Sequence, residues 1–377
     1  MRKDIYLFIC LWYNIFDIGK KQYSGYIKNN NSRKDDYMEN KKEERNPRLG
    51  QVGGQAILEG VMMRSGEEIA ISVRAMDGTV RSKKTKFVSV RKKNKFCALP
   101  LIRGVVSFVE SLILSFSTIN DGVDMLGIEE EETKFEKWLK EKFGADLMTV
   151  LMPISMILGV LLSIAIFFFL PSLIGGWIAK LFGGNIGIWQ SAIEGVLKVA
   201  IFVGYMLLIS LMSDIRRTFE YHGAEHKSIF CYESGEELTV ENVKKHSRFH
   251  PRCGTSFMFV MIFISIIIGF LIPFQNPFLR TLCKLLLLPL TMGVGFEFLM
   301  YAGKHDNFLI RMLSAPGLWM QRITTKEPDD SQIEVAIKSL KLSMPEVFPD
   351  EEWLSPDPKP ETSENKKEKT GEQNAEA

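Results

Sequence analysis

Hydrophobic and polar positions divide this chain into stretches of different character. From Leu147 to Ala179, and again from Gly254 to Leu279, no charged residue interrupts the run. A bilayer core needs roughly 20 apolar residues per helix. With two further apolar stretches, four spans are predicted, at about 147–171, 189–213, 255–276 and 282–301. Pro153 and Pro171 stand near the ends of the first. Glu194 and Lys198 fall in the second, four apart on one helical face, which reads as an internal ion pair. Lys284 and Glu297 leave the fourth the shortest uncharged run. Glu297 falls inside that span, and an acid at such depth points to a functional site, or to pairing with a loop arginine.

Ahead of the spans the period changes. Ile69, Ile71 and Val73 alternate with polar residues, Asp77-Gly78 supplies a turn, and Phe87, Val88 and Val90 resume, which predicts a β-hairpin. Its return arm carries Arg81, Lys83, Lys84, Lys86, Arg91, Lys92, Lys93 and Lys95, a solvated face or one suited to anionic headgroups. Residues 100–119 are apolar but broken by Arg103 and Glu110, and read as an interfacial helix. A polar helix follows from Glu129–Glu132 towards Phe143. Past the last span, Ser331 and Glu334 stand at capping-box spacing, and Val335, Ile337 and Leu340 supply an apolar stripe. The fold class is therefore mainly α: a polytopic helical membrane protein of about four spans, with a small N-terminal β-hairpin region and amphipathic helices on the cytosolic face.

The organisation divides into six stretches. Residues 1–48 form a variable leader, whose apolar run Ile5–Tyr13 is short for a span and lacks a cleavage site; Met38 is an alternative start. Residues 49–96 hold a glycine-rich stretch and the hairpin, and 97–146 the interfacial helices. Residues 147–301 are the four-span region with a His/Cys loop at 214–254. A helical segment occupies 302–345, and 346–377 is a Pro/Glu/Lys/Asn tail expected to be disordered.

Bulk composition changes this picture little. Hydrophobic residues make up 46% and charged ones 24%, ordinary values that the clustering of charge overrides. A net charge of +2 argues against a nucleic-acid partner, and five cysteines do not form a secreted disulfide framework. Lysine and arginine do decide orientation. Loop 214–254 carries Arg216, Arg217, Lys227, Lys244, Lys245, Arg248 and Arg252, whereas the two opposite connections carry Lys180 and Arg280 alone. That bias places the loop and both termini in the cytosol, where Cys253 stays a thiol and Cys283 faces the other side.

Four of the five histidines lie between His222 and His250, and this cluster carries the candidate chemistry. His222-Gly-Ala-Glu225-His226 fits H-x-x-E-H, which on a helix sets two imidazoles on one face beside a carboxylate. Gly223 weakens the helix by about 1 kcal/mol relative to alanine. His250-Pro-Arg-Cys253 is a turn that can offer two more ligands. His222, His226, His250 and Cys253 together would complete a tetrahedral zinc site, closed and structural, or catalytic if water replaces one ligand. The bland alternative is that these histidines bond lipid phosphates or cap helix ends. Cys231 is expected to pack, His246 to face solvent, and His305 to lie in an interfacial loop. Gly53, Gly54 and Gly60 lack the pattern of a phosphate loop and suit tight turns. Glu59 and Arg64 beside them are candidate partners to each other or to a ligand.

The stretches Gln51–Arg64, His222–Lys227, Arg248–Ser256 and Pro316–Ala336 together resemble the YqhQ-like family of bacterial membrane proteins. The resemblance covers about residues 46–345. It implies one domain of unknown function, a membrane location and a suspected metal-dependent activity, with no substrate. The motif residues matched are His222, Glu225, His226, His250 and Cys253, with Glu59 and Arg64. Two functions follow. In the first, zinc on the histidines serves a metal-dependent hydrolase, with Glu225 as general base. In the second, the metal is structural, and a membrane factor assists the assembly, folding or transport of other membrane proteins. Transport through the bundle is a third and weaker reading, resting on Glu297, Glu194 and Lys198.

Overall fold

The computed structural model describes residues 46–127, 147–184, 186–302 and 308–349. The leader before Asn46, the predicted polar helix at 129–143, His305 and the tail from Asp350 lie outside the described residues. The protein is mainly helical, with one small antiparallel sheet.

The sheet is larger than the predicted hairpin. β1 (Val52–Ile57), β2 (Gly60–Ser65), β3 (Glu68–Arg74) and β4 (Val80–Lys86) form an antiparallel meander in sequence order. β3 and β4 turn through Asp77-Gly78 and pair from Arg74–Val80 to Glu68–Lys86. The return arm is thus the basic stretch itself and ends before Phe87. Successive strand residues face opposite ways, and both faces are covered. Met62, Ile69, Ile71 and Val73 pack against Met125 and Leu126. Val52, Val61 and Met63 join the core formed with Tyr221, Ala224, Ile333 and Leu340. The alternating cations of the arm find acids: Lys83 pairs with Asp121 (2.8 Å), Lys86 with Glu68 (2.7 Å) and Lys92 with Glu67 (2.5 Å). Each such exposed pair contributes roughly 0–1 kcal/mol.

After a helical turn, α1 (Val90–Lys93), α2 runs over Ile102–Leu126. The sequence expectation was a short interfacial helix at 100–119. The helix is instead 25 residues long and apolar enough to cross a membrane. Its C-terminal end packs under the sheet, so its two ends have different tasks. α3 (Leu147–Ile164) passes through a π-helical turn at Ala165–Phe169 into α4 (Leu170–Leu181). Pro171 therefore does not end the first span. The wider π turn accommodates a residue without an N–H, and an apolar helix continues from Ile154 to Leu181.

α5 (Ile188–Ile209) is the third long apolar helix. α6 (Ser213–Ser234) and α7 (Val240–Lys244) follow, then α8 (Gly254–Gly269), shorter than the span expected there. The fourth predicted span is broken. α9 (Pro277–Leu286) and α10 (Leu288–Ala302) meet at 51°, at a point where Pro289 has no N–H to give the helix ladder. Among the described residues, three helices are long and apolar enough to cross a membrane, or four if the bent pair is one span. α11 (Phe308–Thr324) packs on α8. α12 (Asp330–Leu342) lies on the sheet, where the Ser339 hydroxyl donates within 2.9 and 3.0 Å of the Val61 and Ala70 carbonyls. Its capping box is Asp329 with Gln332, two residues ahead of the Ser331–Glu334 pair that the spacing suggested.

One intrahelical pair is also corrected. Glu194 does not pair with Lys198. It takes Arg280 (2.8 Å) and Lys284 from α9, while the Lys198 ammonium donates to Ser265 (3.0 Å). A buried acid takes the partner that best satisfies both its oxygens, and the bidentate arginine does so.

Candidate metal centre

The H-x-x-E-H segment is helical throughout, inside α6. Gly223 is the reason it can sit where it does. A Cβ there would lie 2.0 Å from the Lys326 carbonyl oxygen, where the chain leaving α11 crosses α6 and the Lys326 N–H bonds to the Phe219 carbonyl (2.8 Å). That crossing brings Thr324 to the histidines. The Thr324 carbonyl stands 2.8 Å from His222 Nδ1, and the Arg248 carbonyl 2.6 Å from His226 Nδ1. A carbonyl can only accept, so each Nδ1 carries a proton, and Nε2 is the nitrogen whose lone pair a neutral ring can offer.

Those lone pairs turn towards one sulfur. His222 Nε2 lies 3.3 Å from Cys253 Sγ, and the ligand atoms of His222, His226 and Cys253 all fall within 4.8 Å of one another. Cys253 is the N-cap of α8, held by a turn in which its N–H reaches the His250 carbonyl (3.3 Å). Burial works against its thiolate, yet the adjacent His226 ring and the Thr255 hydroxyl at 3.3 Å hold the thiol below its ordinary value. Burial, with His222 beside it, pushes the His226 imidazolium down to about 4, so this ring is neutral near pH 7. Neutral imidazole and a ready thiolate are the forms that ligate a soft divalent ion.

Glu225 is buried next to this group. Burial pushes its carboxyl up to about 7, opposed by the His222 charge and by a hydrogen bond from the Gly54 N–H, while Cys253 adds to the rise. Gly54 is needed for the approach, since a Cβ on it would come within 2.9 Å of the Glu225 side chain. The glycine-rich strand β1 is thus the floor on which the acid rests.

His250 is drawn elsewhere. Its backbone is clamped by Gln321, which accepts from its N–H (2.7 Å) and donates to its carbonyl (2.8 Å). Its ring faces Glu233, with Nε2 3.8 Å from Oε2, and both atoms are buried without a hydrogen-bond partner among the described residues. It is therefore not one of the three converging ligands. Glu59 and Arg64 are not partners of each other. Glu59 makes a bidentate pair with Arg217 and accepts from Tyr221 (3.3 Å), in the left-handed region at φ +51°. Arg64 bonds the Gly66 carbonyl (3.0 Å) and stacks on Phe87. Glu297 pairs with Arg103 at the start of α2 (2.7 Å), not with the histidines.

Cys231, Glu236 and His246 make a second set of close donor atoms that the sequence did not suggest. His246, expected in solvent, has a side chain only 10% exposed, 3.4 Å from Glu236. Nothing local in the sequence signals this group, because it forms where the chain folds back after α6.

Residues 99–346 match a family described as a protein of unknown function, DUF1385. The chain belongs to this family. It is also 33% identical over 288 residues to the uncharacterized protein YqhQ of Bacillus subtilis (strain 168), covering 76% of this chain and 90% of that protein. The family match takes in α2, every residue of the converging His/Cys group and α12, whereas strands β1 to β4 precede it. No solved structure matches the chain.

Proposed function

We propose that this protein is a multi-pass membrane protein with a zinc site at the cytosolic membrane face, and that it acts as a metal-dependent hydrolase. The observation carrying this reading is the set of three converging donors, His222 Nε2, His226 Nε2 and Cys253 Sγ, with both imidazoles oriented by backbone carbonyls. Such outer bonds are what ligating histidines use to fix ring and tautomer. His226 is deeply buried, whereas His222 and Cys253 are only partly so, and three protein ligands leave a fourth position for water or substrate.

A zinc ion held by His222, His226 and Cys253 would supply Lewis acidity and lower the pKa of a bound water towards about 7. Glu225, held in place by the Gly54 N–H, is the group that would accept a proton there. The Thr255 hydroxyl donates to the sulfur (3.3 Å), which favours the thiolate. Thr324 and Arg248 keep the imidazoles aimed. The cytosolic placement rests on the lysine and arginine content of residues 214–254.

A structural metal in a membrane factor that assists other membrane proteins is favoured by a different observation. A metal there would tie α6 to the His250–Cys253 turn, with the end of α11 joined through the Thr324 carbonyl on His222. Metal content of the detergent-purified protein, with a cellular activity readout, separates the two. Glu225→Gln is expected to keep one zinc per chain and lose function. His226→Ala is expected to lose the zinc. A functional Glu225→Gln with a destabilised His226→Ala selects the structural role, and a wild type without stoichiometric metal removes both.

A further inference from the structure

A second polar centre lies among the apolar helices, apart from the His/Cys group. Ser191, at this end, bonds the carbonyl of Gly269 (2.8 Å), the last residue of α8. Cys253 caps the first turn of the same helix, 16 residues away along it, or roughly 24 Å.

Charge in this centre does not balance among the described residues. Glu194, Arg280 and Lys284 are 2%, 3% and 7% exposed, and Lys198 9%. One carboxylate therefore stands against three cations. Arg280 is satisfied: it donates to Glu194, to Ser191 (2.8 Å) and to the Ile272 and Phe274 carbonyls (3.2 and 2.8 Å). Lys284 uses two donors, on Glu194 and on Ser172 (2.9 Å). Lys198 uses one, on Ser265, and lies 4.9 Å from the Phe168 ring centre. Lys198 stands one helical turn from Glu194 on α5, and Glu194 is the acid that holds Lys284, so both lysines stand beside the same carboxylate. Removing an ion from water costs several kcal/mol unless it is paired, and the single acid here is already taken by Arg280 and Lys284.

We infer that Lys198 and Lys284 hold a phosphate-type anion between them, inside the apolar helix bundle. Three ammonium protons remain to be accepted: two on Lys198 and one on Lys284. Ser265 and Ser172 each accept from a lysine and keep their own protons to donate. Several donors arriving from α4, α5, α8 and α9 suit an anion with several oxygens better than a single-atom halide. Such an anion comes either from solution or from a lipid headgroup.

Thermal unfolding of the full chain separates the sources. In neutral detergent, inorganic phosphate is titrated at constant ionic strength. In nanodiscs, phosphatidylglycerol is compared with phosphatidylcholine. A saturable rise in midpoint with phosphate identifies a free anion, and a rise only with phosphatidylglycerol identifies a headgroup. Lys198→Met is expected to weaken the binding tenfold or more, while the surface control Lys83→Met leaves it unchanged. Native mass spectrometry of the wild type gives a reading that does not depend on the variant folding: retained phosphate or phosphatidylglycerol supports the site. A wild type indifferent to both ligands and carrying neither, or a Lys198→Met protein that binds as the wild type does, overturns it.

Discussion

Glu233 shows how a single buried acid can set the pH range of this protein. Burial alone would raise its carboxyl, but the His250 ring it faces, the Arg252 charge and the Gly50 N–H (2.9 Å) hold it below its ordinary value. A carboxylate whose folded-state pKa is depressed contributes stability above its unfolded value. That contribution is lost as pH falls through the lowered one. The thermal midpoint of the wild type should therefore exceed that of Glu233→Gln at pH 7, and the gap should close on acidification below the ordinary glutamate range of about 4.3. A gap constant from pH 7 to pH 3 would show that shape, not charge, is what glutamine loses. At the same scale, the reach of sequence reasoning is uneven. His222 and His226 converge as their spacing predicts, because four residues on a helix make a local relation. His250 departs because Gln321 and Glu233, both distant in sequence, decide where its ring points.

Among the elements, α12 depends most visibly on one residue. Asp329 caps it, accepting from the Gln332 N–H (2.9 Å) while the Gln332 side chain accepts from the Asp329 N–H (3.0 Å). Asp329→Ala is expected to cost about 1 kcal/mol, measurable by denaturant or thermal unfolding in detergent, and Asp329→Asn much less. An equal loss in both would assign the effect to charge at the helix N-terminus instead of the cap bond. The sheet beside α12 was half legible. Alternation at Ile69, Ile71 and Val73 and the Asp-Gly turn announce β3 and its turn. β1 and β2 hide because Gly53, Gly54 and Gly60 break the apolar rhythm, and two covered faces replace alternation with a nearly continuous run in Val61-Met62-Met63. Pro171 misleads for a related reason: the sequence shows a helix breaker, and the π turn that absorbs it belongs to backbone register.

For the whole molecule, orientation is the property that controls the rest. Arg280, one of two cations in the predicted outer connections, is buried against Glu194, so it withdraws from the exposed charge of that side. The bias towards residues 214–254 is the stronger for it. In intact cells, a single cysteine introduced at Glu241 in an otherwise cysteine-free chain should resist an impermeant maleimide until the membrane is opened. Labelling before permeabilisation would reverse the orientation and place the His/Cys group outside. The apolar spans were legible because the lack of charge is itself a strong signal. The broken fourth one was legible only in position, since a proline marks where a helix can bend and not by how much, and the 51° angle belongs to packing.

The carbonyl of Thr324 on His222 has a consequence for synthesis. His222, His226 and Cys253 leave the ribosome early, yet the group that fixes the first imidazole is made about a hundred residues later, and α12, which closes the sheet begun at Val52, later still. A nascent chain stopped between Cys253 and Thr324 holds all three converging side chains but lacks the carbonyl that orients His222. Alignment of the three side chains therefore waits for residues made only after the apolar helices up to α10, and not for the His/Cys motifs themselves.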